Sequence, residues 1–376
     1  MVTNILRGVV GCGLLSFVTV AGVALAGAPP SERVDGARLM ATLREIPTSR
    51  SALGDASGVE GLVKTEAWVE SSLRAMGYTP TLEPIWWAVP ARDWPGQKKE
   101  DLAEGASPRV WNNVIVEIVG RELPGEVLIV GAHFDAVPRS PGADDNGTGT
   151  AALMELALVL RDVPMKRTVR FVFFNLEEVG LVGSRQNAEN VRVRREKNRK
   201  ERADRKEVNS KGTKGTKVEN EGDEAIVGMV SLEMLGFFTD APNSQRSPIK
   251  AIEGVFVPPT VGDFISIVTV AAHQRFSKQL ADGMISATTD ADGKPGLKVT
   301  RVDFSPVPMP DMLRSDHAPY LALNIPAVML TDTANFRNPN YHKPSDTVET
   351  IDTERFTLVV KGLAGAVVEI AGASER

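Results

Sequence analysis

Val127-Leu128-Ile129-Val130-Gly131-Ala132-His133-Phe134-Asp135 sets an unbroken aliphatic run directly before a histidine and an aspartate. Such a run reads as a short strand buried on both faces, with His133 just past its end. The turn-forming stretch Gly142-Ala143-Asp144-Asp145-Asn146-Gly147 follows within ten residues. Apolar residues then recur at helical spacing from Gly149 to Asp162, and Val169 to Phe174 is a second apolar run. Strand, loop, helix, strand is the order of a crossover in a parallel sheet, which makes the chain α/β. Two further runs fit the same sheet: Ala225 to Leu232, ending at Glu233, and Pro326 to Thr331, with His342 in the loop beyond. Glu177 and Glu178 sit just past the second run. The polar candidates thus gather beyond the carboxyl ends of strands, where open α/β sheets bind ligands.

Each piece has an ordinary reading by itself. A histidine after a strand is commonly a satisfied or exposed imidazole, Glu-Glu is commonly a solvated face, and Asp-Asp-Asn-Gly is commonly a turn. Their conjunction is less ordinary. The chain has four histidines, at 133, 273, 317 and 342. Two of them, 133 and 342, with the carboxylates of the Gly142–Gly147 stretch, of Glu177-Glu178 and of Glu233, supply the inventory needed to hold two divalent cations. Mixed imidazole and carboxylate donors suit zinc, with manganese or cobalt open on donor type alone.

With Asn113-Val114-Ile115 ahead of the first strand, Glu177-Glu178-Val179-Gly180-Leu181-Val182-Gly183-Ser184 in the middle and Tyr341-His342-Lys343-Pro344-Ser345-Asp346-Thr347 near the end, the chain resembles the di-zinc exopeptidase family. That family contains the bacterial leucyl aminopeptidases and aminopeptidase Y, with glutamate carboxypeptidases, glutaminyl cyclases and the transferrin-receptor ectodomain as relatives. The likeness runs from about Trp111 to Asp352. It implies a mixed, mainly parallel central sheet flanked by helices, the zinc exopeptidase (phosphorylase/hydrolase-like) fold, and two Zn2+ per chain.

Carried over by position, the resemblance assigns His133 and Glu233 to one metal, Glu178 and His342 to the other, and Asp144 to the bridge between them. It also implies a cis peptide at Asp144–Asp145. Glu177 would be the general base, taking a proton from the attacking water and passing it to the leaving amine. Adjacent glutamates divide these roles because successive side chains at a strand end diverge. Tyr341 resembles the tyrosine that some relatives turn toward the developing oxyanion; a packing aromatic is the alternative. Asp135 has a physical reason to stand near His133, since a ligating imidazole usually donates its other N–H to a carboxylate. Asp346 is expected to support the His342 loop similarly, or to cap a turn. Asp316-His317 resembles a pocket-lining motif, although Ser315 and Asp316 also read as a helix start. Glu233 stands where many aminopeptidases of the family carry Asp, which argues against a narrow leucine-aminopeptidase assignment.

A chain of 376 residues can bury a large core. We expect one catalytic domain over 27–376, decorated near residues 80–112 and 240–262. The net charge of −5 gives no electrostatic case for nucleic acid. Arg7, the uncharged stretch Gly8 to Ala28 and the small residues of Ala24-Leu25-Ala26 read as an export signal over 1–26, giving a periplasmic or extracellular product. Left uncleaved, the same stretch would be a membrane anchor. Cys12 is the lone cysteine, so the mature chain would hold no disulfide. Val191 to Glu224 is rich in both charges and poor in large apolar residues; it reads as a mobile surface insertion whose first part, to Glu207, extends a helix. The final helix is expected over Thr353 to Ala371. The leading expectation is an exported zinc aminopeptidase acting on peptides. Glutaminyl-cyclase-like acyl transfer, carboxypeptidase action needing a basic cluster such as Arg314 and Arg337, and a non-catalytic receptor-like domain are the alternatives.

Overall fold

The computed structural model describes residues 27–85, 87, 110–210, 224–306 and 309–374, with the backbone alone for 202–210. The expected export segment and residues 211–223 of the charged insertion lie outside these residues. In chain order the elements are α1 (Pro30–Arg33), α2 (Gly36–Glu45), α3 (Ala56–Ala75), β1 (Thr81–Ile85), β2 (Trp111–Ile118), β3 (Leu123–His133), α4 (Gly149–Leu160), β4 (Arg167–Phe174) and α5 (Val182–Ser210). They continue with β5 (Ala225–Glu233), β6 (Ile265–Val268), α6 (Gln274–Ala287), β7 (Val299–Val302), α7 (Ala318–Ala322), β8 (Ala327–Thr331) and α8 (Thr353–Ala371). All eight strands form one sheet in the order β1-β2-β4-β3-β5-β8-β6-β7. The central four, β4, β3, β5 and β8, run parallel, while β2 and β6 join them antiparallel.

Side chains alternate across the central strands, and both faces are covered. Leu128 and Val130 enter one large core with α4, α6 and α8, while Val127 and Ile129 pack with Ala188 and Val191 of α5 and with Tyr320 of α7. Helix α4 is apolar nearly all round, as a helix sandwiched in a core must be, and eleven of its twelve residues are buried. Helix α8 starts at Asp352, whose carboxylate accepts from the Arg355 amide at 2.9 Å. Residues 81–85, expected as decoration, instead form the sheet's edge strand, paired to β2 with Thr81 opposite Ile115. The backbone of α5 stays helical from Val182 to Ser210, with Ser184, Asn187, Ala188 and Val191 tucked against the body. Among the described residues, no helix is long and apolar enough to cross a membrane.

Arg50 joins the loop after α2 to the segment beyond β3. Its guanidinium is buried and donates to the carbonyls of Phe134 at 2.7 Å, Pro141 at 2.5 Å, Gly142 at 2.6 Å and Pro47 at 3.1 Å. Gly142 is held at φ 61, where a side chain would also collide with the Asp145 carbonyl. Arg50→Met leaves these carbonyls without a donor, at about 1–3 kcal/mol for each one that stays buried. Urea unfolding is expected to show a loss of about 3 kcal/mol or more; a loss below about 1 kcal/mol would mean that the loops hold without this clasp.

Candidate metal centre

His133 and Glu233 are the last residues of β3 and β5, so two neighbouring parallel strands deliver an imidazole and a carboxylate side by side. Glu177 and Glu178 lie just past β4, where the chain turns through Leu176 at φ 62. Asp135 fixes this turn. Its Oδ1 accepts from the Glu177 amide at 3.0 Å and its Oδ2 from the Glu178 amide at 3.1 Å. Asp346 does the same for the acidic turn, with Oδ1 accepting from Asp144 N at 2.9 Å and Oδ2 from Asp145 N at 3.1 Å. Asn146 locks that turn to the end of β5: its Nδ2 donates to Leu232 O at 2.7 Å, and its Oδ1 accepts from Met234 N and Gly149 N, each at 3.1 Å. Met234 and His342 are themselves in the left-handed region, at φ 52 and 58. For non-glycine residues this costs of order 1 kcal/mol each and persists where surrounding contacts over-determine it.

Two donor sets result. His133 Nε2 lies 3.4 Å from Glu233 Oε2 and 3.6 Å from Asp145 Oδ1. His342 Nε2 lies 3.1 Å from Asp145 Oδ2 and 3.4 Å from Glu178 Oε2. In each set the three donor atoms lie within 4.8 Å of one another, and Asp145 gives one oxygen to each. Glu178 Oε1 is buried without a hydrogen-bond partner, which a cation would relieve. Glu177 belongs to neither set; its Oε2 is 4.0 Å from His133 Nε2.

The structure puts Asp145, and not the expected Asp144, between the two donor sets. Asp144 faces away: its Oδ1 accepts from Gly236 N at 2.9 Å and its Oδ2 from Asn338 Nδ2 at 2.7 Å, in a buried network reaching Thr148 and Asp332. The cis peptide shifts likewise, to Asp145–Asn146. The role expected of Asp135 is modified too. His133 Nδ1 is nearer its backbone carbonyl, at 3.2 Å, than its carboxylate, at 3.5 Å, because the carboxylate is engaged by the two glutamate amides.

The model of peptidase family M28 matches residues 113–249 and 274–367. The chain belongs to peptidase family M28. It is 29% identical over 250 residues to the uncharacterized protein YfbL of Escherichia coli (strain K12), a match covering 64% of this chain and 65% of that one. It is 46% identical over 66 residues to aminopeptidase YwaD of Bacillus subtilis (strain 168), covering 18% of this chain and 14% of the relative. The chain thus spans less than two thirds of the length of these curated relatives. The fold is also that of BSAP, a zinc aminopeptidase from Bacillus subtilis, with a TM-score of 0.58 at 16% identity over 91% of this chain and 96% of that one.

Crowded carboxylates shape the protonation of this M28 site. Burial, reinforced by Asp145, pushes Glu178 up to about 7. Burial and the nearby Glu178 and Glu233 carry Glu177 well above the usual carboxylate range, against the opposing pull of His133. Burial alone would lower both imidazoles. Instead Glu177 and Glu233 raise His133 well above its ordinary value, and Asp145 and Glu178 raise His342 to about 10. Cations bound here would compete with protons at these groups.

Beside Glu233 and Tyr341 opens a cavity of about 330 Å3, walled by Phe256, Phe264, Val268, Met312, Met329 and Phe336. Residues Gln245 to Pro259, expected as decoration, form one wall of it. Tyr341 stacks on His342 with ring centroids 3.8 Å apart. Asp316 is fully buried, and burial pushes its carboxyl up to about 7, with His133 and Glu233 among the charges it faces. His317 is structural: burial drives it down to about 4, and its Nε2 is 2.7 Å from Met312 O. Ser315, read from sequence only as a helix start, donates to Glu233 Oε2 at 2.7 Å.

Zinc titration separates the two aspartates. Asp145→Asn is expected to reduce the number of ions bound, whereas Asp144→Asn is expected to retain that number and lower stability through its buried network. The opposite pattern would restore Asp144 as the bridge.

Proposed function

We propose that the chain is an exported zinc aminopeptidase that removes large apolar residues from the N-termini of peptides, with two zinc ions sharing Asp145. The observation that carries this reading is the pair of donor sets with Glu177 beside them and outside both. Two zinc ions held there would lower the pKa of water and polarise the scissile carbonyl. Glu177 would take the proton from the attacking water and return it to the leaving amine. Its burial raises its proton affinity above that of an ordinary carboxylate, which favours a role as general base. The cavity next to Glu233 would take the first side chain, and its phenylalanine and methionine walls would select an apolar one.

The arginines near the cavity count against carboxypeptidase action. Arg337 is buried over the rings of Phe264 and Phe238, at 4.5 and 5.5 Å. Arg314 is engaged by Asn335 and Tyr341, and Arg246 by the Asn335 carbonyl. Arg337 does not line the cavity, although its buried Nη2 has no hydrogen-bond partner, so it and the engaged Arg314 do not make the basic cluster that such a reading requires. The uncharged N-terminal stretch with its small-residue cleavage site supports export.

Glu177→Gln keeps the volume of the side chain but cannot accept a proton. It is expected to retain about two zinc equivalents by elemental analysis while turnover of an aminoacyl substrate falls by about 10²-fold or more. Glu178→Gln is expected to lose zinc instead. Reversed phenotypes would exchange the roles of the two glutamates, and full activity at one equivalent would favour a cyclase-like centre.

A further inference from the structure

Arg314 stands one residue before Ser315, the hydroxyl that holds Glu233, yet its own guanidinium points to the other donor set. Its Nη2 donates to the Tyr341 phenol oxygen at 2.8 Å, and its Nη1 donates to Asn335 Oδ1 at 2.8 Å, with Asp311 Oδ1 at 3.5 Å. The Arg314 carbon Cζ lies 5.6 Å from the centre of the Tyr341 ring. Three loops therefore meet at one planar fork: the turn Pro310–Leu313, the turn Ala334–Phe336 and the His342 loop. The acidic groups facing the phenol are Asp145, Glu178 and Glu233, the donors of both sets.

A guanidinium only donates. Once Arg314 donates to the phenol oxygen, Tyr341 acts toward Arg314 as acceptor, and its own proton stays available for a different acceptor. Stacking on His342 limits the ring's rotation, so the hydroxyl stays at the edge of the apolar cavity, near Asp145, Glu178 and Glu233. We infer that Arg314 is a positioning residue that orients Tyr341 to donate a hydrogen bond to the oxyanion developing on the scissile carbonyl. This rests on the aminopeptidase reading given above. Lysine cannot replace it, because a single ammonium on a flexible stem lacks the fork that reaches Asn335 and Tyr341 together.

The test is a double-mutant cycle on the full zinc-loaded chain with an aminoacyl p-nitroanilide, reading kcat, KM and zinc content. Tyr341→Phe is expected to lower kcat on the order of 10²-fold, as loss of one oxyanion donor does. Arg314→Met is expected to lower kcat by about tenfold or more, with KM and zinc content nearly unchanged and Arg314→Lys recovering little. In the Tyr341→Phe background, Arg314→Met is expected to cause no further loss, because its effect runs through the phenol. Independent, multiplying losses would overturn the inference. So would wild-type kcat in either single variant, or a KM rise confined to substrates with a free C-terminal carboxylate, which would mean that Arg314 touches substrate directly. These results leave the aminopeptidase reading standing. Absence of turnover in the zinc-loaded wild type would overturn that reading, and this inference with it.

Discussion

Two buried aspartates, each accepting from two successive backbone amides, set the geometry on which the centre depends. Asp135 clasps the amides of Glu177 and Glu178, and Asp346 those of Asp144 and Asp145. A carboxylate gripping two neighbouring N–H groups fixes the direction of the peptide between them, and hence which side chain of each acidic pair faces inward. Charge-assisted hydrogen bonds of this kind are about twice as strong as neutral ones. Both pairs of adjacent acids are thereby divided. Glu178 and Asp145 turn into the donor sets, Glu177 stays beside them, and Asp144 is directed into the network under Gly236. Asp346 also joins the loop bearing His342 to the turn bearing Asp145, so the second set cannot loosen at one end alone.

The crowding that follows is electrostatically unfavourable without cations. Asp145, Glu177, Glu178 and Glu233 converge on two imidazoles in a largely buried space; burial and neighbouring carboxylates raise Glu177 and Glu178, and attraction to the same carboxylates raises both histidines. Folding places these groups together because the strands ending in His133 and Glu233 are adjacent in a sheet whose faces are both covered. The hydrophobic core and the backbone clasps thus oppose the repulsion that divalent cations would remove.

The parallel strands, α4 and α8 were legible in the sequence because continuous apolar runs and helical periodicity report burial directly. That the histidine and acidic candidates cluster followed from their positions beyond strand ends, whereas their division into ligands and base was implied by the family resemblance. The aspartate between the donor sets lies one residue beyond the expected one, because Asp144 and Asp145 are chemically identical in sequence. Their division depends on backbone angles (Asp145 lies at φ −103, ψ 93) and on the remote Asp346, Asn146 and Asn338. Strand β1 escaped notice because Thr-Leu-Glu-Pro-Ile carries a proline and too little alternation. The contact from Arg314 to Tyr341 joins residues 27 positions apart through side chains alone, and local pattern holds no trace of it.

The central claim is that one carboxylate, Asp145, lies between two cations. It is tested most directly by a crystal structure of the zinc-loaded protein with data collected on both sides of the zinc absorption edge. The account predicts two anomalous peaks about 3.5–4 Å apart, one beside His133 and Glu233, the other beside Glu178 and His342, with an Asp145 oxygen on each. A single peak, or a pair bridged by Asp144, would contradict it.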